Sequence, residues 1–141
     1  MKKDTAKLLE ELQGFSDFAQ FYEKNQAQFA ATSLSDALQT FVSEKNLVVA
    51  DVVKSSEMSE VYAYQILSGI KSHPGREKVL CLAFGMGLSG EETQTLLKTT
   101  GYAPLYAKRP SDAIVLYGLY KHLSVVEVNN LLYEYGQETL G

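Results

Sequence analysis

The stretch from Leu47 to Gly69 constrains the fold more than any other part of this 141-residue chain. It contains two short amphipathic segments that are separated by a tight polar turn at residues 55–57. Ser59 follows the turn, where its hydroxyl can accept hydrogen bonds from the first free backbone N–H groups of a helix. Gly69 ends the second segment, because glycine readily adopts the left-handed conformation that closes many helices. The pattern predicts two short helices that cross through the turn.

Apolar residues recur at helical spacing in both segments, which gives each predicted helix an inward face. Two short helices joined by a turn of about three or four residues form a helix-turn-helix unit. In DNA-binding versions of this unit, the second helix enters the major groove. The expected inward residues are Leu47, Val52 and Val53 in the first helix, Met58 at the corner, and Ala63, Ile66 and Leu67 in the second helix.

The composition is that of a globular protein, with 45% hydrophobic and 21% charged residues. The length suits one domain with a sizeable core rather than two. No apolar run approaches the roughly 20 residues of a membrane span. Acidic residues interrupt the N-terminal segment MKKDTAKLLEEL, which argues against a signal peptide. We therefore expect a cytoplasmic protein that does not enter a membrane, with Cys81 as a buried thiol.

Helix start signals continue along the rest of the chain, and no segment alternates with the period of two that a half-buried strand shows. We predict an all-α protein of about seven or eight helices. It would comprise an N-terminal helical arm over residues 1–32, a helix-turn-helix domain over 33–101 and a C-terminal helical pair over 102–141, packed on that domain. The start signals are Ser33 with Asp36, Ser89 with Glu92, Ser124 with Glu127, and Pro110.

The run from Leu34 to Thr99 resembles the Xre/Cro type of phage-repressor-like helix-turn-helix domain. The spacing L-x4-V-V-x4-M-S-x6-I-x2-G-x4-P carries this resemblance. A YxYQI-x2-G segment is also similar to a smaller group of bacterial regulator-like proteins, which share a short N-terminal arm and a C-terminal helical pair. The resemblance implies a lambda-repressor-like five-helix bundle with helices added at both ends. The matching positions are Leu47, Val52, Val53, Met58, Ser59, Ile66, Gly69 and Pro74.

The resemblance also implies a function, namely a sequence-specific DNA-binding transcriptional regulator that places helix 59–68 in the major groove. We expect a homodimer, because one such helix reads too few base pairs for useful specificity. Glutamine can pair with adenine through two hydrogen bonds, and valine can contact a thymine methyl group. Phosphate contacts fix the register of the helix but carry no sequence information. The implied base-reading residues are Glu60, Val61, Tyr64 and Gln65, and those near phosphates are Ser68, Lys71, Ser72 and Arg76.

Three positions depart from the family pattern. Val48 stands where a capping Thr or Ser is usual, Val49 replaces a polar residue that meets the DNA backbone, and Glu60 brings a negative charge to the reading helix. Residues 33–99 carry six positive and eight negative charges, so DNA affinity has to come from local clusters such as the basic residues between 71 and 78. The alternative function is a protein-interaction adaptor that keeps the fold without binding DNA.

No motif in the chain predicts catalysis, a cofactor or a metal. Residues 85–90 match GxGxxG, but a predicted helix precedes them where the dinucleotide motif requires a strand. His73 and His122 have no partners at metal-ligand spacing. Cys81 has no neighbouring base in the sequence, and no serine stands in a nucleophile elbow. We expect a protein that is not an enzyme.

Aromatic residues concentrate at the two ends of the chain. Six of the nine tyrosines follow residue 100, where they either fill the core or form a dimer or partner interface. The N-terminal segment contains Phe15, Phe18, Phe21 and Tyr22 within eight residues. This segment either packs on the main domain as an arm or provides a dimerisation or docking surface.

Overall fold

The computed structural model describes residues 4–24 and 33–141. These residues form nine α-helices and no strand. The all-α prediction is confirmed, with one helix more than the upper number expected, because two separate helices form before residue 25. The chain divides into two compact units, Met1–Ala31 and Thr32–Gly141, so the sequence-based boundary at 101/102 falls inside the second unit. No helix in the described ranges has the length and hydropathy needed to cross a bilayer.

The first unit contains α1 (Thr5–Gly14) and α2 (Phe18–Lys24). Asp4 caps α1 by accepting a hydrogen bond of 2.7 Å from the backbone N–H of Lys7. The rings of Phe15 and Phe21 meet edge to face, with centroids 5.8 Å apart. These contacts support two short helices joined after Gly14, where the sequence suggested a break. Residues 25–32 of the expected arm lie outside the described residues.

The described part of the second unit contains seven helices, which are α3 (Leu34–Glu44), α4 (Val49–Ser55), α5 (Glu60–Ser68), α6 (Arg76–Gly85), α7 (Gly90–Thr99), α8 (Pro110–Tyr120) and α9 (Val125–Glu134). Helix α4 packs on both α5 and α6, and α3 packs on α5. Helix α6 also contacts α7 and α9, α7 contacts α8, and α8 packs along α9.

The expected helix starts are confirmed by the capping hydrogen bonds. Side-chain oxygens accept backbone N–H bonds at the beginning of α3, α5, α7 and α9, and proline occupies the first turn of α8. In α7, Ser89 N–H also donates to the Glu92 carboxylate over 2.8 Å. This bond, together with the nearby Lys45 ammonium, lowers the pKa of Glu92. At the end of α5, Gly69 adopts the expected left-handed conformation, with φ of 91°.

Helix α6 lies at the centre of the second unit. Five consecutive side chains, from Val79 to Ala83, are buried. A helix that is apolar on all sides has to be covered on all sides. Gly85 allows one of these contacts to be unusually close, since a Cβ atom there would lie 2.7 Å from the backbone oxygen of Val52 in α4. The end of α6 therefore approaches the α4 backbone without a side chain between them.

Replacing Gly85 with Ala should destabilise the protein, because the added methyl group meets a backbone oxygen that cannot move without displacing α4. We expect a loss of about 1–3 kcal/mol in the free energy of unfolding, measured by urea denaturation followed by circular dichroism. Gly14→Ala is the matched control, because nothing lies within 4 Å of the added Cβ there. Equal stability of the two variants would contradict the close approach.

Candidate nucleic-acid interface

The turn between α4 and α5 is built by local hydrogen bonds and one buried serine. Ser56 is fully buried, and its hydroxyl donates to the backbone oxygen of Val53 over 2.6 Å. Glu57 adopts a left-handed conformation with φ of 58°. Ser59 then accepts a 3.4 Å hydrogen bond from the backbone N–H of Tyr62. The turn therefore fixes where α5 starts and how it leaves α4.

The start of α4, in contrast, has no side-chain capping hydrogen bond. Its N-cap residue is Val48, which forms no side-chain capping bond. The Val48 side chain is 59% exposed. Val49 is half-buried and packs against the core. Two of the three positions at which the sequence differs from the Xre/Cro pattern thus place apolar groups at the start of α4.

Helix α5 has a fully buried face and an exposed face. Ala63 and Ile66 are fully buried and Leu67 nearly so. On the other side, Glu60 is exposed, Val61 is 67% exposed and Tyr64 is 41% exposed. The first two turns of the helix therefore present three of the four predicted base-reading residues to solvent. The fourth, Gln65, is half-buried.

Three of the predicted phosphate-contacting residues lie at or just after the end of α5. Ser68, Lys71 and Ser72 are all exposed. The backbone N–H of Lys71 donates to the backbone oxygen of Gln65 over 3.0 Å, which holds Lys71 close to the end of α5. Within the described residues, the Lys71 ammonium has no ion-pair partner. Its charge is thus available to an anionic ligand.

The structure places Arg76 differently from the other seven predicted residues. Its Nη2 donates to the Oδ2 atom of Asp112 over 2.8 Å, and its side chain is only 24% exposed. Asp112 is buried, and the same oxygen accepts a 2.9 Å hydrogen bond from the backbone N–H of Tyr106. Arg76 therefore connects the start of α6 to α8 and to the loop before α8.

Lys71, Arg76 and Lys78, the basic cluster that the sequence suggested, have different surroundings in the structure. The Lys78 ammonium lies 5.8 Å from the centroid of the Tyr62 ring, a cation–π contact. Since Arg76 is paired with Asp112, only Lys71 of the three presents an uncommitted charge. The sequence did not indicate that Asp112 is the partner of Arg76. The one signal was an aspartate in the first turn of a helix whose later turns are apolar.

Apolar side chains also lie beside α5. Ile70, just after the helix, is 73% exposed. A shallow cavity of about 310 Å³ opens between α4 and α5, and Lys54 supplies its one positive charge. The surface near α5 therefore combines apolar groups with few charges. The cavity is lined by Ala50, Val53, Lys54, Met58, Glu60 and Tyr64.

The other chemical groups that the sequence offers are the Cys81 thiol, the possible metal ligands and the glycine-rich segment 85–90. Burial raises the pKa of the Cys81 thiol to about 11, so the thiol is protonated at neutral pH. No group of three or more potential metal ligands occurs among residues 4–24 and 33–141. In the segment between α6 and α7, the backbone N–H groups of Met86 and Leu88 donate to the backbone oxygens of Leu82 and Ala83. These hydrogen bonds end α6.

Comparisons with protein families, with curated proteins and with solved structures gave no match for this chain. Its function therefore has to be argued from its own residues.

Replacing Arg76 with Ala should destabilise the fold. It would leave the buried Asp112 carboxylate with the Tyr106 N–H as its one remaining hydrogen-bond donor among the described residues. Breaking a buried pair in this way costs about 3–5 kcal/mol, and the partial exposure of Arg76 should reduce this to about 2–3 kcal/mol. Urea denaturation measures the loss, with Lys71→Ala as the control for removal of an exposed charge. A variant as stable as the control would show that the ion pair is dispensable.

Proposed function

We propose that this protein is a cytoplasmic, non-enzymatic, DNA-binding transcriptional regulator that places α5 in the major groove. The observation that carries the proposal is the exposure of Glu60, Val61 and Tyr64 on the first two turns of a helix that follows α4 through a tight turn. A helix presented in this way can reach base edges with its N-terminal residues. We also propose that helices α3–α7 form a lambda-repressor-like bundle of the Xre/Cro type, because they span the run from Leu34 to Thr99 that carries the sequence resemblance.

The exposed side chains suit particular contacts in the groove. The Glu60 carboxylate can accept a hydrogen bond from the amino group of cytosine, and Val61 can pack on a thymine methyl group. Gln65 lies one turn further along and can pair with adenine. Tyr64 adds an aromatic face and a hydroxyl between these positions. These residues would discriminate sequence, since they face base edges and not the phosphate backbone.

The phosphate contacts would come from the end of α5. Ser68 and Ser72 offer hydroxyl donors, and Lys71 offers the uncommitted positive charge. Arg76 contributes indirectly, because its pairing with Asp112 fixes the start of α6 just after this segment. One copy thus makes few phosphate contacts, which favours action as a homodimer.

Binding to pooled genomic DNA fragments should be detectable by fluorescence anisotropy at about 50 mM salt and should weaken steeply towards about 200 mM. The reason is that each phosphate contact releases condensed counterions. Undetectable binding at the lower salt concentration, by protein that circular dichroism shows to be folded, would contradict the proposal.

Two variants separate the proposed roles. Lys71→Ala should weaken binding to all sequences alike and reduce the salt slope by about 1. Gln65→Ala should relax the preference at one base position and leave the salt slope unchanged. Lys98→Ala, an exposed lysine in α7, is the matched control for loss of one charge. If the first two variants behave identically, the assignment of roles is wrong.

One observation favours a second function, that of a protein-interaction adaptor. Helix α5 exposes Val61 and Tyr64, and its one charge is the carboxylate of Glu60. Tyr64 also lines the cavity between α4 and α5, together with Val53 and Met58. Adjoining apolar groups at a surface are typical of a site that binds another protein. An adaptor would keep its fold and show no salt-dependent DNA binding. The anisotropy titration therefore distinguishes the two functions.

A further inference from the structure

The C-terminal helical pair exposes an apolar groove. Its volume is about 350 Å³, and it runs between α8 and α9. Two of its tyrosines are strongly exposed, Tyr117 at 52% and Tyr135 at 66%. Exposed tyrosines offer large contact area at low entropic cost, which is why they are enriched in interfaces. The groove is lined by Ala113, Ile114, Tyr117, Leu131 and Tyr135.

Positive residues border the groove at both ends of α8. Arg109 is the N-cap of α8, four residues before Ala113, and Lys121 is its C-cap, four residues after Tyr117. The two charges therefore lie at opposite ends of the helix. The Lys121 ammonium lies 5.9 Å from the centroid of the Tyr117 ring, which places it beside the groove. Both residues are exposed.

Negative residues occupy the corresponding positions on α9. Glu127 precedes Leu131 by four residues, and Glu134 follows it by three. Both are exposed, although one oxygen of Glu127 accepts the capping bond from Ser124 N–H. Because a short turn joins the helices in an antiparallel pair, Lys121 and Glu127 lie at one end of the groove. Arg109 and Glu134 lie at the other.

Two copies can place their grooves face to face around a twofold axis in two ways. If the axis runs across the groove, α8 lies on α8 of the second copy. Arg109 then meets Lys121, and Glu127 meets Glu134, so like charges face each other at both ends. If the axis runs along the groove, α8 lies on α9 of the second copy. Arg109 then meets Glu134, and Lys121 meets Glu127. Only this second arrangement matches opposite charges.

We propose that the groove between α8 and α9 binds the same groove of a second copy, with each α8 antiparallel to the partner's α9. A symmetric contact of this kind uses one patch twice and closes on itself. Four helices then enclose the tyrosines, and the charge pairs at the ends select the register. This interface specifies the homodimer of the proposed function, and its test requires no DNA, so either proposal can fail alone.

The apolar part is tested with Tyr117→Ser in the full chain. Sedimentation equilibrium of the parent protein should show a monomer–dimer equilibrium, and this variant should raise the dissociation constant at least about tenfold. Tyr133→Ser is the matched control, since Tyr133 is 81% exposed on α9 but does not line the groove. It should leave the constant within about twofold. A parent protein that stays monomeric at about 100 µM, or equal effects of the two variants, would overturn the proposal.

The pairing of α8 with the partner's α9 is tested by reversing the charges of Arg109 and Glu134, which lie at the same end of the groove. Both replacements suit the helices in which they are made. Arg109→Glu adds a negative charge at the start of α8, and Glu134→Arg adds a positive charge at the end of α9. The helix dipole favours both changes. Arg109→Glu and Glu134→Arg should each weaken the dimer several-fold, and the double variant should restore it.

The alternative arrangement, in which α8 lies on α8 of the second copy, gives a different result. There Arg109 faces Lys121, so Arg109→Glu alone would strengthen the dimer. Lys98→Glu is the control, because it makes the same change in net charge away from the groove. Failure of the double variant to restore association, with both single variants weakened, would also overturn the proposed register.

Discussion

The second unit depends on the burial of α6. Its side chains from Val79 to Ala83 are buried on every side of the helix, so a neighbour is needed in each direction. Helices α4, α7 and α9 provide these neighbours. Each fully buried Val or Leu contributes about 1.5–3 kcal/mol relative to exposure. Removing α8 and α9 would return part of α6 to water. The C-terminal pair therefore shares its core with the helix-turn-helix segment, on which the sequence analysis expected it to pack.

The ion pair between Arg76 and Asp112 follows from this arrangement. Once α9 covers α6, α8 lies beside the start of α6, and Asp112 in its first turn becomes buried. A buried carboxylate requires charged and hydrogen-bonding partners, which Arg76 and the Tyr106 N–H provide. The same pairing commits the Arg76 guanidinium to α8. A positive residue that follows α5 closely in the sequence therefore connects two helices of the core.

Local features of the fold could be predicted from the sequence, whereas features that depend on distant contacts could not. The caps at Ser33 and Ser89 and the glycine stop at Gly69 involve residues at most four positions apart, so the sequence pattern contains the whole interaction. Asp112 lies 36 residues from Arg76, and no local pattern links them. At the candidate site, the exposure of Val61 and Tyr64 follows from helical spacing. The exposure of Ile70 depends on how the chain leaves α5, which spacing alone does not define.

The proposed DNA contacts near α5 depend on the pairing of two copies, whereas the proposed pairing through the groove between α8 and α9 does not depend on DNA. Near α5, Lys54 and Lys71 are positive charges without an ion-pair partner among the described residues. Glu60 opposes them, so a single copy would gain little from counterion release. Two copies double the phosphate contacts and add a second reading helix without any new residue. The groove between α8 and α9 has no such dependence, since its apolar lining and its end charges complement a second copy in the absence of DNA. DNA recognition would therefore require the pairing, whereas the pairing would not require DNA.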